Sequence, residues 1–382
     1  MEKSKYFLSN SLLNLMQEKP YEKISIHEVA RRGYVSRTTF YNHFSSKEDI
    51  LQFLIENAMG TLREIPMPEN EPQYLAFLEA DIARMEHNRA LWSLALLLLL
   101  RKNGLIELVP EYQRRILHSL AKGSEKVSKF FPDDRSLEAF CRYESALTFY
   151  SAFWFLEREA IETPAQLARI MSDTRRIGYA SRQEERLYLR DLSDPTLRFH
   201  SGDARALATK EALHKAFQYL LERQAPDNIG ITQLTQEAGV SRCSFYRHYD
   251  RLEDLIEESL QMIYADVIKT LPSTGHLIGY AAILEASIRG YQAQASLFQS
   301  ISKGRLELLA LRAYRSVFDV LEWQLPYIKQ YYPADPFARE YYSWFLAVEH
   351  IIPVLLYFDY FPDMDPGEYA DLIRRCRYFP YL

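Results

Sequence analysis

The sequence predicts an all-α protein in which two similar helical units follow one another in a single chain of 382 residues. Three observations carry this. A segment near the start returns without a gap further along the chain, and apolar residues recur at helical spacing through both copies. Neither strand alternation nor a glycine-rich phosphate loop breaks the pattern. The repeat is read from its offset. Val35-Ser36-Arg37 returns as Val240-Ser241-Arg242, and 241 − 36 = 205. At that offset Phe40-Tyr41-Asn42-His43-Phe44 falls on Phe245-Tyr246-Arg247-His248-Tyr249, and Glu48-Asp49-Ile50-Leu51 on Glu253-Asp254-Leu255-Ile256. Upstream, Ile24 and Ile26 fall on Ile229 and Ile231, and Leu8 on Leu213. Weaker echoes pair Leu91-Trp92 with Leu297-Phe298, and Thr163-Pro164-Ala165-Gln166 with Asp365-Pro366-Gly367-Glu368.

Each element of the first copy has a local reason. Leu8, Leu12, Leu15 and Met16 keep helical spacing, and Lys19-Pro20 ends that helix. A second helix is expected from about His27 to Arg32, capped by Ser25. Gly33-Tyr34 makes a turn, and Ser36 is placed to cap a third helix. On that helix Phe40 and Phe44 share the inward face, which leaves Arg37, Thr38, Tyr41 and Asn42 pointing out. A fourth helix is expected to start at Ser45 with Glu48 completing a capping box, a device kept in the second copy by Asp250 and Glu253. Ile50, Leu51, Leu54 and Ile55 give it one apolar stripe.

Three short helices with a tight turn before the third make a helix-turn-helix. Its third helix exposes arginine, threonine, asparagine, tyrosine and histidine, residue types that bond base edges and phosphates in the major groove. For one unit taken alone, a small helical bundle with solvated polar residues is the plain alternative. The patterning sets expected boundaries. Residues 1–64 form a helix-turn-helix domain and 65–175 a helical regulatory domain. A linker at 176–203 lies in the charge-rich stretch from about Ser172 to Gly202, with Asp194-Pro195 and Ser201-Gly202 as breakers. Residues 204–270 and 271–382 repeat the two domains.

Composition narrows the rest. A net charge of −5 excludes a globally basic surface, so any nucleic-acid contact comes from a few local cations. Charged residues at 25% and 48% hydrophobic content exclude wholesale disorder. Cys141, Cys243 and Cys376 match no metal spacing and read as reduced thiols of a cytosolic protein. Met1-Glu2-Lys3-Ser4-Lys5 leads into an amphipathic pattern, so no signal peptide is expected. The greasiest run, Leu94 to Leu100, is closed by Arg101 and Lys102 and falls short of the roughly 20 residues of a membrane span. A cytoplasmic location with no membrane partner is expected. His87, His118, His276 and His350 are scattered and expected at the surface or in caps, and no cofactor or metal is expected.

The stretch Ile24-Ser-Ile-His-Glu-Val-Ala-Arg-Arg-Gly-Tyr-Val-Ser-Arg-Thr-Thr-Phe-Tyr-Asn-His-Phe-Ser-Ser-Lys-Glu-Asp-Ile-Leu51 resembles the DNA-binding domain of TetR-family regulators. Phe-Tyr-x-His-Phe followed by Ser-Lys-Glu-Asp is the specific part, and Ile229 to Ile256 matches nearly as well. The resemblance implies an all-helical protein with a variable ligand-binding and dimerising domain behind each head. It further implies a two-fold arrangement that binds a palindromic double-stranded operator and releases it to a small-molecule effector. Carried over by position, Arg37, Thr38, Thr39 and Asn42 face bases, Tyr41, His43 and Lys47 hold phosphates, and Ser25 and Ser36 are further contacts. In the second unit Arg242, Cys243, Ser244 and Arg247 take the reading positions, with Tyr246 and His248 on the backbone and Ser241 as a further contact.

Departures from the family carry expectations of their own. Members usually have Ala-Gly before the Val-Ser of the turn, as at Ala238-Gly239; the first unit has Gly33-Tyr34, and its turn is expected to be reshaped. Leu252 stands opposite Lys47 with Arg251 adjacent, and Gly230 replaces the Ser25 cap. Thr38 against Cys243, and Asn42 against Arg247, point to unlike half-sites, since asparagine favours adenine and arginine guanine. A drifted second domain that only supports the first is the duller reading.

In the family, late helices form a bundle between protomers. Here Tyr143, Tyr150, Phe153, Trp154 and Phe155, and Tyr341, Tyr342, Trp344, Phe345 and Tyr357, lie on such helices. The bundle is expected to close within one chain, giving a monomer that acts as a pseudo-dimer. Trp92, Tyr112, Tyr314 and Trp323 are candidate effector-pocket linings, with ordinary core packing as the alternative. No catalytic motif points to an enzyme. The rival is a TetR-fold interaction module with weak or lost DNA binding.

Overall fold

The computed structural model describes residues 2–60, 67–87, 89, 114, 117–156, 163–180, 204–221, 223–224, 228–270, 280–295, 297–299, 310–311, 313, 315 and 335–379. Every regular element among them is a helix. The chain divides into two compact units, Met1–Arg169 and Ile170–Leu382.

The first unit opens with α1 (Glu2–Glu18), a 3₁₀ turn at Tyr21–Lys23, α2 (Ile26–Arg32), α3 (Arg37–Tyr41) and α4 (Lys47–Gly60). Helix α1 packs on α2 and α4. Leu8, Leu12, Val29, Phe40 and Ile50 meet in its core with no exposure. Behind this group lie α5 (Glu71–His87), α6 (Glu125–Phe130) and α7 (Asp134–Leu156), with α5 against α7. Helix α8 (Pro164–Ala180), within which the first unit ends at Arg169, starts in a Thr163–Gln166 capping box, with Thr163 N donating to Gln166 Oε1 at 2.9 Å. This helix continues to Ala180, into the stretch read from sequence as linker. The remainder of that stretch, 181–203, lies outside the described residues.

The second unit runs α9 (Ala204–Leu221), α10 (Ile231–Glu237), α11 (Arg242–Tyr246), α12 (Leu252–Thr270), α13 (Tyr280–Tyr291), α14 (Pro336–Tyr360) and α15 (Pro366–Tyr378). Helices α9, α10 and α11 pack in sequence over Leu213, Phe217, Leu234, Phe245 and Leu255, and α13 rests on α12, α14 and α15. Helix α14 is the one described helix long and apolar enough to cross a membrane, but most of its apolar window is buried inside the unit. It carries Pro353 in its interior. Proline has no N–H to give the carbonyl four residues back, and Tyr280 Oη donates to that Glu349 carbonyl at 2.7 Å. The Pro353 carbonyl in turn accepts from Tyr369 Oη at 2.8 Å. Beside this repair Arg377 pairs with the buried Glu349 carboxylate at 2.9 Å and lies over the Tyr280 ring, 4.6 Å from its centroid.

Two local expectations are corrected. The start of α4 lies at Lys47, not Ser45. Ser46 Oγ accepts from Asp49 N at 3.1 Å and Ser45 N donates to Asp49 Oδ2 at 2.7 Å, so the box is built one residue later than expected. Glu48 instead accepts from Tyr21 Oη at 2.8 Å, tying α4 to the turn after α1. The second unit makes the same shift, with Arg251 N donating to Asp254 Oδ2 at 2.8 Å. His350, expected at the surface or in a cap, is buried, and burial pushes its imidazole down to about 4, which keeps it neutral.

Candidate nucleic-acid interface

Helix α2 is set by its N-terminus. Ser25 Oγ accepts from Glu28 N at 3.3 Å while Ser25 N donates to Glu28 Oε2 at 2.9 Å, a reciprocal capping box. Glu28 also pairs with Lys19 at the end of α1. The hydrogen bond from Lys19, then those from Ser25, hold the Glu28 carboxyl down at about 2. In the second unit Gly230 caps α10 without a side-chain bond. The tie between the first two helices is there an amide pair, Gln224 Nε2 to Gln233 Oε1 at 2.8 Å.

The turn that follows is the same in both units. Tyr34 N donates to Arg31 O at 3.2 Å and Val35 N to Ala30 O at 3.0 Å, the two bonds of a Schellman motif. Gly239 N to Gln236 O at 3.1 Å and Val240 N to Thr235 O at 3.0 Å repeat it. The residue after the helix cap takes the left-handed region in each, Gly239 with φ 66° and Tyr34 with φ 53°. The expected reshaping of the first turn does not occur: the paired hydrogen bonds hold the geometry, and Tyr34 adopts it despite its β-carbon. Gly33 has a separate reason for being small. A β-carbon there would meet Ser11 Oγ at 3.2 Å and Val29 O at 3.3 Å.

From that turn a five-residue helix leaves with its outward face fixed. Ser36 Oγ accepts from Thr39 N at 3.0 Å, and Ser241 Oγ from Ser244 N at 3.0 Å. Phe40 and Phe245 are fully buried, which anchors both helices from below. Ser36, Arg37, Thr38, Tyr41 and Asn42 are exposed on the first, and Ser241, Arg242, Cys243, Tyr246 and Arg247 on the second. The Arg37 guanidinium sits 5.8 Å from the Tyr41 ring centroid, and Arg247 Nη2 donates to Ser244 Oγ at 3.0 Å. Thr39 and Ser244 are half-buried and bonded back to the capping serines.

Two positions depart from an open reading face. Lys47 Nζ donates to Ile24 O at 2.7 Å and Tyr21 O at 3.1 Å, and lies 4.2 Å from the Tyr21 ring centroid, so it locks α4 to the turn after α1. His43 and His248 are half-buried; His248 lines a cavity of about 310 Å³ with Tyr249, Asp254, Glu257, Glu258, Gln261 and Met262. Sequence spacing gave no sign of either, because both depend on residues brought in from other helices. Tyr34, which spacing marked only as a misfit, is 96% exposed beside the outward face. The proposed pocket residues Trp92, Tyr112, Tyr314 and Trp323 lie outside the described residues.

Comparisons with known proteins agree with this geometry. Residues 11–53 match the family described as bacterial regulatory proteins, tetR family. The chain is similar to the uncharacterized HTH-type transcriptional regulator YxbF of Bacillus subtilis (strain 168), with 22% identity over 69% of this chain and 68% of that protein. A shorter likeness, 31% identity over 14% of this chain and 29% of the relative, is to the HTH-type dhaKLM operon transcriptional activator DhaS of Lactococcus lactis subsp. lactis (strain IL1403). The matched residues are those that form the end of α1, the capped α2, the Schellman turn, the exposed α3 and the start of α4, so the likeness to the tetR family of bacterial regulatory proteins lies in the helix-turn-helix of residues 11–53.

Proposed function

We propose that the chain is a sequence-specific DNA-binding transcriptional regulator, a ligand-responsive repressor whose two fused helix-turn-helix heads read unlike half-sites of an imperfectly palindromic operator. One observation carries the reading. The same frame of turn, serine cap and buried phenylalanine recurs 205 residues on, yet it presents Thr38 and Asn42 in one head and Cys243 and Arg247 in the other. Asparagine pairs with adenine and arginine with guanine, each bidentate pair discriminating by about 1–3 kcal/mol.

On this reading residues 1–64 and 204–270 are the heads, and 65–175 and 271–382 the regulatory domains that bind the effector and each other. The protein acts in the cytoplasm as a monomer and has no enzymatic role. Covalent joining replaces a bimolecular step by an intramolecular one. Repression follows the family's usual mode. Since the relative DhaS is named an activator, a reporter under the selected operator, with and without the chain, decides the direction of control.

The test is selection of bound DNA from a random duplex library by the intact chain at two salt concentrations. Two unlike half-sites about one helical turn apart are expected, and Asn42→Arg is expected to move one of them toward guanine. No shift with Asn42→Arg sinks the two-reader assignment. A second reading is favoured by the acidity of the second head, where Glu237, Asp250, Glu253, Asp254, Glu257 and Glu258 flank α11 in sequence. There the second head is a scaffold or a protein-binding surface; enrichment of a single half-site, or of none, supports it.

A further inference from the structure

Tyr34 holds a left-handed backbone, φ 53°, that side chains with a β-carbon disfavour, and its ring is 96% exposed. Gly239 closes the same turn with the same two hydrogen bonds and no side chain. The ring therefore contributes nothing to the turn and buries almost nothing. An outlier kept without return inside the fold points to a partner outside it.

The surroundings give that partner a charge. Arg31, Arg32 and Arg37 are exposed around Tyr34, and the corresponding residues of the second unit are Gln236, Glu237 and Arg242. Arg32 pairs with Glu18 at 2.6 Å. Arg31 has no acidic partner among the described residues. The end of α2 and the turn after it are thus basic and aromatic in the first unit and neutral to acidic in the second, and Tyr34 lies two residues before the Ser36 cap of the exposed helix.

We propose that Tyr34, together with Arg31, grips the DNA sugar-phosphate backbone beside the first half-site and anchors that head more firmly than the other. This rests on the DNA-binding reading above. The phenol donates to a phosphate oxygen, the ring packs on deoxyribose, and the guanidinium supplies charge. Backbone contacts carry no sequence, so this one sets affinity and register and leaves base preference unchanged.

The experiment compares the intact chain with Tyr34→Gly, Tyr34→Phe and Arg31→Gln, by fluorescence anisotropy on the selected duplex across a salt series and by thermal unfolding. Tyr34→Gly is expected to raise the melting temperature while weakening binding about tenfold, the loss of one hydrogen bond to a charged group. Tyr34→Phe is expected to weaken binding less, since it keeps the ring. Arg31→Gln is expected to lower the salt slope by about one. Selection with each variant is expected to return unchanged base preferences. Tyr34→Gly binding as tightly as the unmutated chain overturns this proposal alone, as does weakened binding with altered base preference. An unmutated chain that binds no duplex overturns the DNA-binding reading and this one with it.

Discussion

Lys5, Phe44, Phe53 and Leu54 in the first unit stand where Lys210, Tyr249, Glu258 and Ser259 stand in the second, and Ser9 stands where His214 does. In the first, the Lys5 ammonium lies over two rings, 5.8 Å from the Phe44 centroid and 5.2 Å from that of Phe53. In the second, the same space holds a polar chain. Tyr249 Oη and His214 Nε2 are 3.2 Å apart, His214 Nδ1 and Ser259 Oγ 2.6 Å, and Lys210 Nζ donates to both Glu258 oxygens at 2.9 and 3.1 Å. One helical scaffold therefore accepts either solution, but on different terms. Apolar packing loses stability in proportion to what is removed, whereas a buried network loses more than its share when one member leaves the others unsatisfied.

The largest test of this contrast removes the central imidazole. His214→Ala strips a partner from both Tyr249 and Ser259 and is expected to cost about 2–3 kcal/mol in denaturant unfolding. Ser9→Ala, at the matching place, is expected to change stability by under about 0.5 kcal/mol. Ser9 is buried and its hydroxyl has no hydrogen-bond partner among the described residues. Equal costs at the two sites would erase the distinction.

A smaller effect is confined to acid. Burial pushes the Glu258 carboxyl up, but hydrogen bonds from Tyr249 and Lys210 and the Lys210 charge outweigh it and hold the group below 4.5. A carboxyl depressed in the folded state stabilises above its unfolded pKa, and that contribution is lost as pH falls through the folded one. Exchange protection of α12 is therefore expected to weaken as pH drops below 4.5, and Glu258→Gln to flatten that limb. Phe53 gives the first unit no matching response at that position. An unchanged acid limb in Glu258→Gln would place the sensitivity elsewhere.

The smallest effect is steric. Gly33 faces Ser11 in the first unit where Ala238 and Ala216 stand in the second. Gly33→Ala is expected to cost about 1 kcal/mol through crowding at Ser11 Oγ. Adding Ser11→Ala is expected to return most of it. Failure of the second change to compensate would show that the Val29 carbonyl, not Ser11, limits the approach.

These contrasts mark how far the sequence could be read. The helices around Phe40 and Phe245 were legible because apolar spacing and serine caps act within a few residues. The start of α4 slipped by one because Ser45-Ser46 and Glu48-Asp49 both satisfy the capping spacing, and only the Tyr21 contact to Glu48 decides between them. The polar network was invisible, since His214 meets residues 35 and 45 positions away. The tie between Lys47, assigned to phosphate by the resemblance, and the carbonyls of Tyr21 and Ile24 was likewise invisible, because backbone carbonyls carry no side-chain signal.

Helix α14 has one rung it cannot supply itself, at Glu349, and the donor comes from the first residue of α13. The next connection, from Pro353, comes from α15. These two carbonyls of α14 are thus satisfied by side chains of its neighbours. A sliding of α13 by the length of a hydrogen bond withdraws the hydroxyl, leaves a buried carbonyl bare and frees the helix to bend. In mechanical terms Tyr280 and Tyr369 are two latches on one helix, and only the first stands in for a bond that proline removes.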